Sequence, residues 1–396
     1  MEDRGTNDSP EDRFVSTGPG RLAEIASGSG IERIHMVAWR DLDDPEAGGS
    51  ELHAHEIAKR WAAAGIGVTQ RTSGIAGQGS SVQRSGYRAE RRSGRYGVFP
   101  SVIGGGLSTR RDPGSALVEI WNGMPFFSPL WSRGPRITVL HHVHGEMWQM
   151  TLPGLLGSIG DNIERRLAPV FYRRERIVTL SASSRDEIVE RLRLSADHVV
   201  VAPPGISSRY RPGSNRHARP LVVAVGRLVP VKRVDLLIKE LAQVRRQVPD
   251  LEAVIIGEGY ERPALEALRH SLGADTWLSM PGFVEEDELV SWYQQAWVVA
   301  SASLREGWGM TLTEAAACAT PSVATNIAGH RDAVSHNHSG ILVDDVSSLS
   351  TGIIEVLTDE RLRRTLQDGA LSWSEHFSWD ATAQTALEQL AISSKR

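Results

Sequence analysis

The chain is short of cysteine, lysine and long apolar runs, and each shortage excludes something. Cys318 is the single cysteine among 396 residues, so no intrachain disulfide can form, and a reducing, cytoplasmic setting fits. No apolar run approaches the roughly 20 residues of a membrane-spanning helix. The first stretch, MEDRGTNDSPEDRFVSTGPG, lacks the apolar core of a secretory signal. It reads as a polar, disordered tail over residues 1–30. The basic residues number 44, and four of them are lysines: Lys59, Lys232, Lys239 and Lys395. Such an arginine excess suits a high-GC bacterial genome.

What is present is unevenly charged. Residues 31–213 carry 24 Arg and Lys against 18 Asp and Glu, whereas residues 214–396 carry 17 against 24. The clusters RSGYRAERRSGR (84–95) and YRRER (172–176) make the first half basic. Either they form a solvated face, or they meet an anionic partner: a phosphorylated acceptor, or the inner membrane face. Neither is interleaved with aromatics in the manner of a base-stacking surface, so nucleic acid is not expected as a partner.

The length exceeds what one core usually serves. From Ile31 onward, apolar runs of strand length alternate with helix-like segments, as in a parallel sheet covered on both faces. The alternation breaks at RYRPGSNRHARP (209–220), a stretch rich in turn formers, and then restarts. Two doubly wound, Rossmann-like α/β domains are predicted, 31–213 and 214–379. A last helix over 380–396 returns to the first domain. Loops at the carboxyl ends of both sheets then face a central cleft.

Four loops carry the chemistry. SLREGWGMTLTEAAA places Glu306 before a Gly307–Trp308–Gly309 turn and Glu314 inside the following helix. The helix start at Met310, Thr311 and Leu312 offers N–H groups to phosphate, and a carboxylate accepts hydrogen bonds from vicinal hydroxyls. VGRLVPVKR sets Arg227 and Lys232 across a loop, a cation pair suited to a diphosphate. AGGSELHAHEIA puts Gly48 and Gly49 at a helix start, either as an anion site or as a turn capped by Ser50. There the G-x-G-x-x-G fingerprint is absent. The glycine-rich VIGGGLS (102–108) reads as a flexible loop. RITVLHHVHGEMW ends a strand on His141, His142 and His144, with His142 and His144 on one face. With Glu146 these could ligate zinc, but no second cluster with ligand spacing accompanies them, and a substrate-contacting histidine is the better reading.

Taken together, these motifs resemble the retaining glycosyltransferases of family 4, from Ile31 almost to the end. The resemblance rests on AGGSELHAHEIAKRWAAAGIGVT, TLSASSRDEI, VVVAPPGIS, VAVGRLVPVKRVDLLI, IIGEGYERPAL, PGFVEEDELVSWY and above all EGWGMTLTEAAACATPSVATNIAGH. It implies the two-domain GT-B fold and a hexosyltransferase that uses a nucleotide-diphosphate sugar, UDP- or GDP-linked, with no metal or other cofactor. The implied acceptor is a cell-envelope glycan, lipid or small molecule. By this resemblance Arg227 and Lys232 neutralise the donor diphosphate, Glu306 meets the donor sugar and Glu314 the ribose. Backbone amides from Gly309 to Leu312 approach sugar and phosphate, Phe283 and Val284 lie at the base, and Gly48 and Gly49 approach the diphosphate. His142 is the favoured sugar contact, with His141 and His144 as alternatives. Two positions depart from the family pattern: Pro204 replaces an asparagine, and Ala328–Gly329–His330 replaces a double glycine, which bears on donor choice. The rival readings are a sugar-nucleotide 2-epimerase of the same architecture and a catalytically silent nucleotide-sugar-binding subunit.

Overall fold

The computed structural model describes residues 18–106, 112–152 and 154–395. Eight strands form the first sheet: β1 (Arg33–Val37), β2 (Gly67–Thr72), β3 (Ser81–Arg84), β4 (Tyr87–Arg91), β5 (Ser115–Trp121), β6 (Arg136–Leu140), β7 (Ile177–Thr179) and β8 (Val199–Val201). Their order is β3-β4-β2-β1-β5-β6-β7-β8, parallel except for the β3–β4 hairpin. Six more, β9 (Leu221–Val225), β10 (Glu252–Ile256), β11 (Leu278–Gly282), β12 (Val298–Ser301), β13 (Ser322–Thr325) and β14 (Gly340–Val343), form the second sheet. That sheet is wholly parallel, ordered β11-β10-β9-β12-β13-β14. Strand order reverses at β1/β5 in one sheet and at β9/β12 in the other. Crevices outside such switch points are where open α/β sheets bind ligands.

The buried β9 and β10 strands, LVVAV and EAVII, read as near-continuous aliphatic runs because helices cover both faces. One such helix, Val234–Gln247, buries Val234, Leu237, Ile238, Leu241 and Val244 at three- and four-residue spacing. The last helix, Trp379–Ser393, packs on the first domain, where Ala383, Ala386, Leu387 and Leu390 join the core beneath β1 and β5. Trp61 Nε1 donates to the Ala383 carbonyl at 3.0 Å, and Arg60 pairs with Asp380.

Three expectations need correction. Residues 1–17 of the expected tail lie outside the described residues, but Pro19–Ser29 is a helix that buries Leu22 and Ala26 against the first core. Proline opens it and Gly30, in the left-handed region, closes it. The glycine-rich 102–108 stretch is not a loop as far as it is described: Val98–Gly106 is helical, with Val98 and Val102 packed on Phe126 and Trp131. The arginines of 84–95 are largely spoken for. Arg84 and Arg91 share Asp41 and Asp43, Arg95 pairs with Glu46, and Arg88 and Arg92 flank Glu90. This cluster pins the β3–β4 hairpin to the loop after β1 instead of presenting free charge.

Candidate active site

The loops after β9 and β12 meet at the second sheet's switch point. A 3₁₀ turn, Pro230–Lys232, follows β9, and the Leu304 N–H donates to the Val231 carbonyl at 2.8 Å, joining the two loops. Lys232 Nζ donates to Glu306 Oε1, and Ser303 Oγ donates to the same oxygen at 2.8 Å. Burial alone would raise the Glu306 carboxyl. The Lys232 ammonium, nearby His330 and the two hydrogen bonds outweigh it and hold the group at about 2. Arg227 is exposed and has no salt-bridge partner among the described residues. Its charge is nevertheless felt at Glu46 and His142 across the cleft.

Glu314 has a different environment. It sits in the helix Met310–Ala317 and accepts from the Tyr293 hydroxyl at 3.2 Å. Burial pushes its carboxyl up to about 8, against the Tyr293 hydrogen bond and with help from Glu286. One glutamate is therefore a firm carboxylate and the other holds a proton near neutrality. The helix begins at Gly309, and its first N–H groups have no partner within the helix.

The first domain supplies the opposite wall. Gly307 is pressed against it so closely that a Cβ would stand 2.9 Å from the His141 carbonyl and 3.2 Å from His142 Nδ1. This is why the turn needs glycine there. Ser181 and Ser184 hydroxyls donate to the Gly307 carbonyl at 3.2 and 3.3 Å. Gly49 faces Met310 across the same gap. Its helix, Gly49–Ala63, starts after Gly48, whose N–H donates to Glu51 Oε2 at 2.8 Å, the one half of a capping box that a glycine allows. Ser50 is not the cap; its hydroxyl donates to Glu51 and accepts from Asn122 after β5.

The three histidines divide as strand alternation requires. His142 stacks on His144 with centroids 4.8 Å apart, while His141 meets His53 edge-on at 5.0 Å. Burial, and then His144 and Arg305, push His142 well below the usual imidazole range, so it is neutral with Nε2 unpartnered. His141 and His144 are held at about 3 and about 4 for the same first reason, burial. Glu146 is exposed, and the described residues contain no group of three ligands that could hold a metal ion.

Other predicted positions fall differently. Phe283 is 76% exposed at the end of β11, but the Val284 side chain belongs to the core with Tyr210 and Tyr293. Val284 can therefore meet a base only through its backbone; Leu312, expected at sugar and phosphate, also has its side chain in the core. His330 is buried, its Nδ1 bound to the Thr325 carbonyl at 2.9 Å. Its side chain is packed away from solvent and acts on Glu306 only through its nearby charge. Gly329 keeps the one glycine the turn demands: φ is +86°, and a Cβ would meet the Glu306 and Trp308 carbonyls at 2.6 and 2.8 Å.

Several residues that join the two walls escaped the sequence reading. Arg305 donates to the Val143 carbonyl and pairs with Glu187 of the first domain. Asp332 accepts from the Ala182 N–H at 3.0 Å and from the Ser183 hydroxyl, capping a first-domain helix from the second domain. Glu164 is fully buried in a π-helical turn, Ile163–Leu167, and accepts from the His144 and Gly145 N–H groups and Trp148 Nε1 at 2.8, 3.0 and 3.0 Å. It fixes the histidine loop. Tyr260, 72% exposed beyond β10, stands near Arg227. The π-turn leaves no mark in residue pattern, and the interdomain contacts join segments more than 100 residues apart.

Two largely parallel, doubly wound sheets, with a cation loop, a Glu–Gly–aromatic–Gly turn and a helix N-terminus at one switch point of the second, make up a two-domain fold of the GT-B class. Solved structures agree on the fold. Sucrose-phosphate synthase from Thermosynechococcus elongatus superposes with a TM-score of 0.75 at 19% identity, covering 89% of this chain and 97% of that one. The Anabaena HepE complex with UDP and glucose gives 0.71 at 18%, covering 91% and 100%. The chain belongs to the family 4 glycosyltransferases: residues 47–209 match the model for Glycosyltransferase Family 4 and residues 208–373 that for Glycosyl transferases group 1. Among curated relatives, the D-inositol 3-phosphate glycosyltransferase of Xylanimonas cellulosilytica is 32% identical over 242 residues, 55% of this chain and 57% of that protein. The one from Kribbella flavida is 30% identical over 246 residues, 59% and 58%. The match thus spans little more than half the length of these relatives.

Proposed function

We propose that the chain transfers a hexosyl group from a nucleotide-diphosphate sugar to a hydroxyl acceptor with retention of anomeric configuration. The observation that carries this reading is the meeting, at one switch point, of unpaired Arg227, the Lys232–Glu306 pair and the free helix N-terminus at Met310. A diphosphate entering there takes Arg227 directly and competes with Glu306 for Lys232. The ammonium then serves the leaving group, and Glu306, already ionised, is released to accept hydroxyls of the sugar. Gly48, Gly49 and the backbone at Thr311 approach the same phosphates. Neutral His142 offers Nε2 to the sugar. Glu314 meets the ribose, and the exposed rings of Tyr260 and Phe283 suit the base.

The retained anomer follows if the acceptor oxygen attacks from the face the diphosphate leaves, with Arg227 and Lys232 stabilising the departing phosphate; no metal is needed to do so. HepE was crystallised with UDP and glucose, which favours a UDP-sugar donor. The curated relatives are named for inositol 3-phosphate, which favours a phosphorylated polyol or an envelope precursor as acceptor, acted on at the cytoplasmic side.

A thermal-shift screen of UDP- and GDP-sugars, followed by anomeric NMR of the product, tests the reading. Stabilisation by a sugar nucleotide and an acceptor-dependent product with the donor's anomeric configuration are expected. Acceptor-independent conversion of the donor would move the chain to the epimerase reading, and no response to any nucleotide would remove the donor site.

A further inference from the structure

One surface of the first domain is not explained by donor chemistry. The helix Leu155–Asn162 continues through the π-turn Ile163–Leu167 into Ala168–Tyr172. Its inner side buries Gly157, Gly160, Glu164, Ala168 and Tyr172, three or four residues apart. Gly160 is so close to Trp148 that a Cβ would stand 2.5 Å from the indole. The outer side carries Leu155, Leu156, Ile159, Leu167 and Val170, which are 45–76% exposed. Arg166 and Arg173 lie among and beyond them, exposed and with no salt-bridge partner among the described residues. Arg165 makes only a loose 3.6 Å pair with Asp161. A helical run with five exposed aliphatics and unpaired arginines on one side is unusual for a free surface.

This side is coupled to the cleft. Glu164, on the inner side of the same run, holds the backbone of His144 and Gly145. The short helix before it, Met147–Thr151, lies against the Pro230–Lys232 turn of the second domain. The run that carries the apolar side is therefore tied through its inner side and the preceding helix to the loops of the site.

We propose that the outer face of residues 155–173 docks on an anionic lipid bilayer, in its interfacial plane. The aliphatic side chains enter the headgroup–acyl boundary while the arginines meet anionic headgroups. No described helix is long and apolar enough to cross a membrane, which agrees with interfacial docking. A second copy of the chain fits poorly. A twofold contact would set these arginines against the same face, which offers one acid, Asp161, against Arg165, Arg166 and Arg173. The other arginine cluster, 84–95, is tied up in ion pairs within the first domain. The inference stands apart from the transfer reaction and survives its failure.

Co-sedimentation of the full chain with vesicles tests it, comparing equimolar phosphatidylglycerol and phosphatidylcholine with phosphatidylcholine alone. Binding to the anionic vesicles only is expected. It should weaken at least about tenfold in Leu155→Ser/Leu156→Ser/Ile159→Ser and in Arg166→Glu/Arg173→Glu, and stay unchanged in the control Arg88→Glu/Arg92→Glu. Circular dichroism checks the fold, and if the apolar triple variant misfolds, the arginine pair carries the comparison. Absence of binding to anionic vesicles, or equal weakening in the control, would overturn the proposal. So would a triple variant that binds vesicles normally but changes its sedimentation coefficient, which would make the face a self-association surface.

Discussion

Replacing Lys232 with Met leaves Glu306 in its pocket without its counter-charge. The methionine keeps most of the length of the lysine stem, so packing against Gly226 changes little. The side chains of Lys232 and Glu306 are 24% and 18% exposed, sheltered enough for the pair to count. Glu306 is held at about 2 against an ordinary value of 4.5. At roughly 1.36 kcal/mol per unit, the folded state gains about 3 kcal/mol from its ionisation at neutral pH. The sign follows from the lowered value. This stability is fully present above the ordinary carboxyl range and is lost as pH falls from about 4.5 towards about 2. Lys232→Met should therefore cost about 3 kcal/mol at neutral pH and flatten the acid limb of the stability curve. Lys232→Met/Glu306→Gln should recover most of the loss, because the uncompensated charge is gone. Urea unfolding followed by tryptophan fluorescence across pH measures all three chains, with buried Trp308 beside the site as a local reporter. A single variant that loses less than about 1 kcal/mol, or a double variant no better than the single, would refute the pairing.

Glu314 should behave in the opposite sense. Its carboxyl, raised to about 8, keeps a proton that the unfolded chain releases near 4.5, so its contribution to stability falls as pH rises between those values. Glu314→Gln should gain on the wild type by about 2 kcal/mol from roughly pH 5 to pH 8, a figure discounted for its partial exposure; parallel stability curves would contradict this. Glu164→Gln puts an amide donor against N–H groups, costing about 2 kcal/mol, and should lower kcat by displacing His142; an unchanged kcat with lowered stability would leave Glu164 purely structural. Arg305→Ala/Asp332→Ala removes the two charged links between the walls and leaves the serine bonds to Gly307, and small-angle scattering should report a larger radius of gyration; an unchanged radius would mean that the remaining contacts hold the domains together.

What could be read in the sequence was what repeats locally. Aliphatic runs such as LVVAV and EAVII announced strands, and the turn at Gly307–Gly309 announced a loop at a strand end. Elements stabilised by distant partners were not readable. The helix Pro19–Ser29 buries only Leu22 and Ala26, and its reason to fold is the C-terminal helix, more than 350 residues on. The β3–β4 hairpin has few aliphatics and is held through Asp41 and Asp43. At the site, sequence spacing suggested separate tasks for Lys232 and Glu306, and only the fold shows them bound to each other. Val284 sits in the quoted motif, but the loop after β11 turns its side chain into the core.

The central claim is that the loops after β9 and β12 hold a diphosphate, and calorimetric titration with UDP and UMP tests it most directly. The account predicts that the wild type binds UDP at least about tenfold more tightly than UMP, and that Arg227→Ala/Lys232→Ala loses that preference while still binding the nucleoside end. Equal affinity for the two nucleotides in the wild type, or an undiminished preference in the variant, would contradict it.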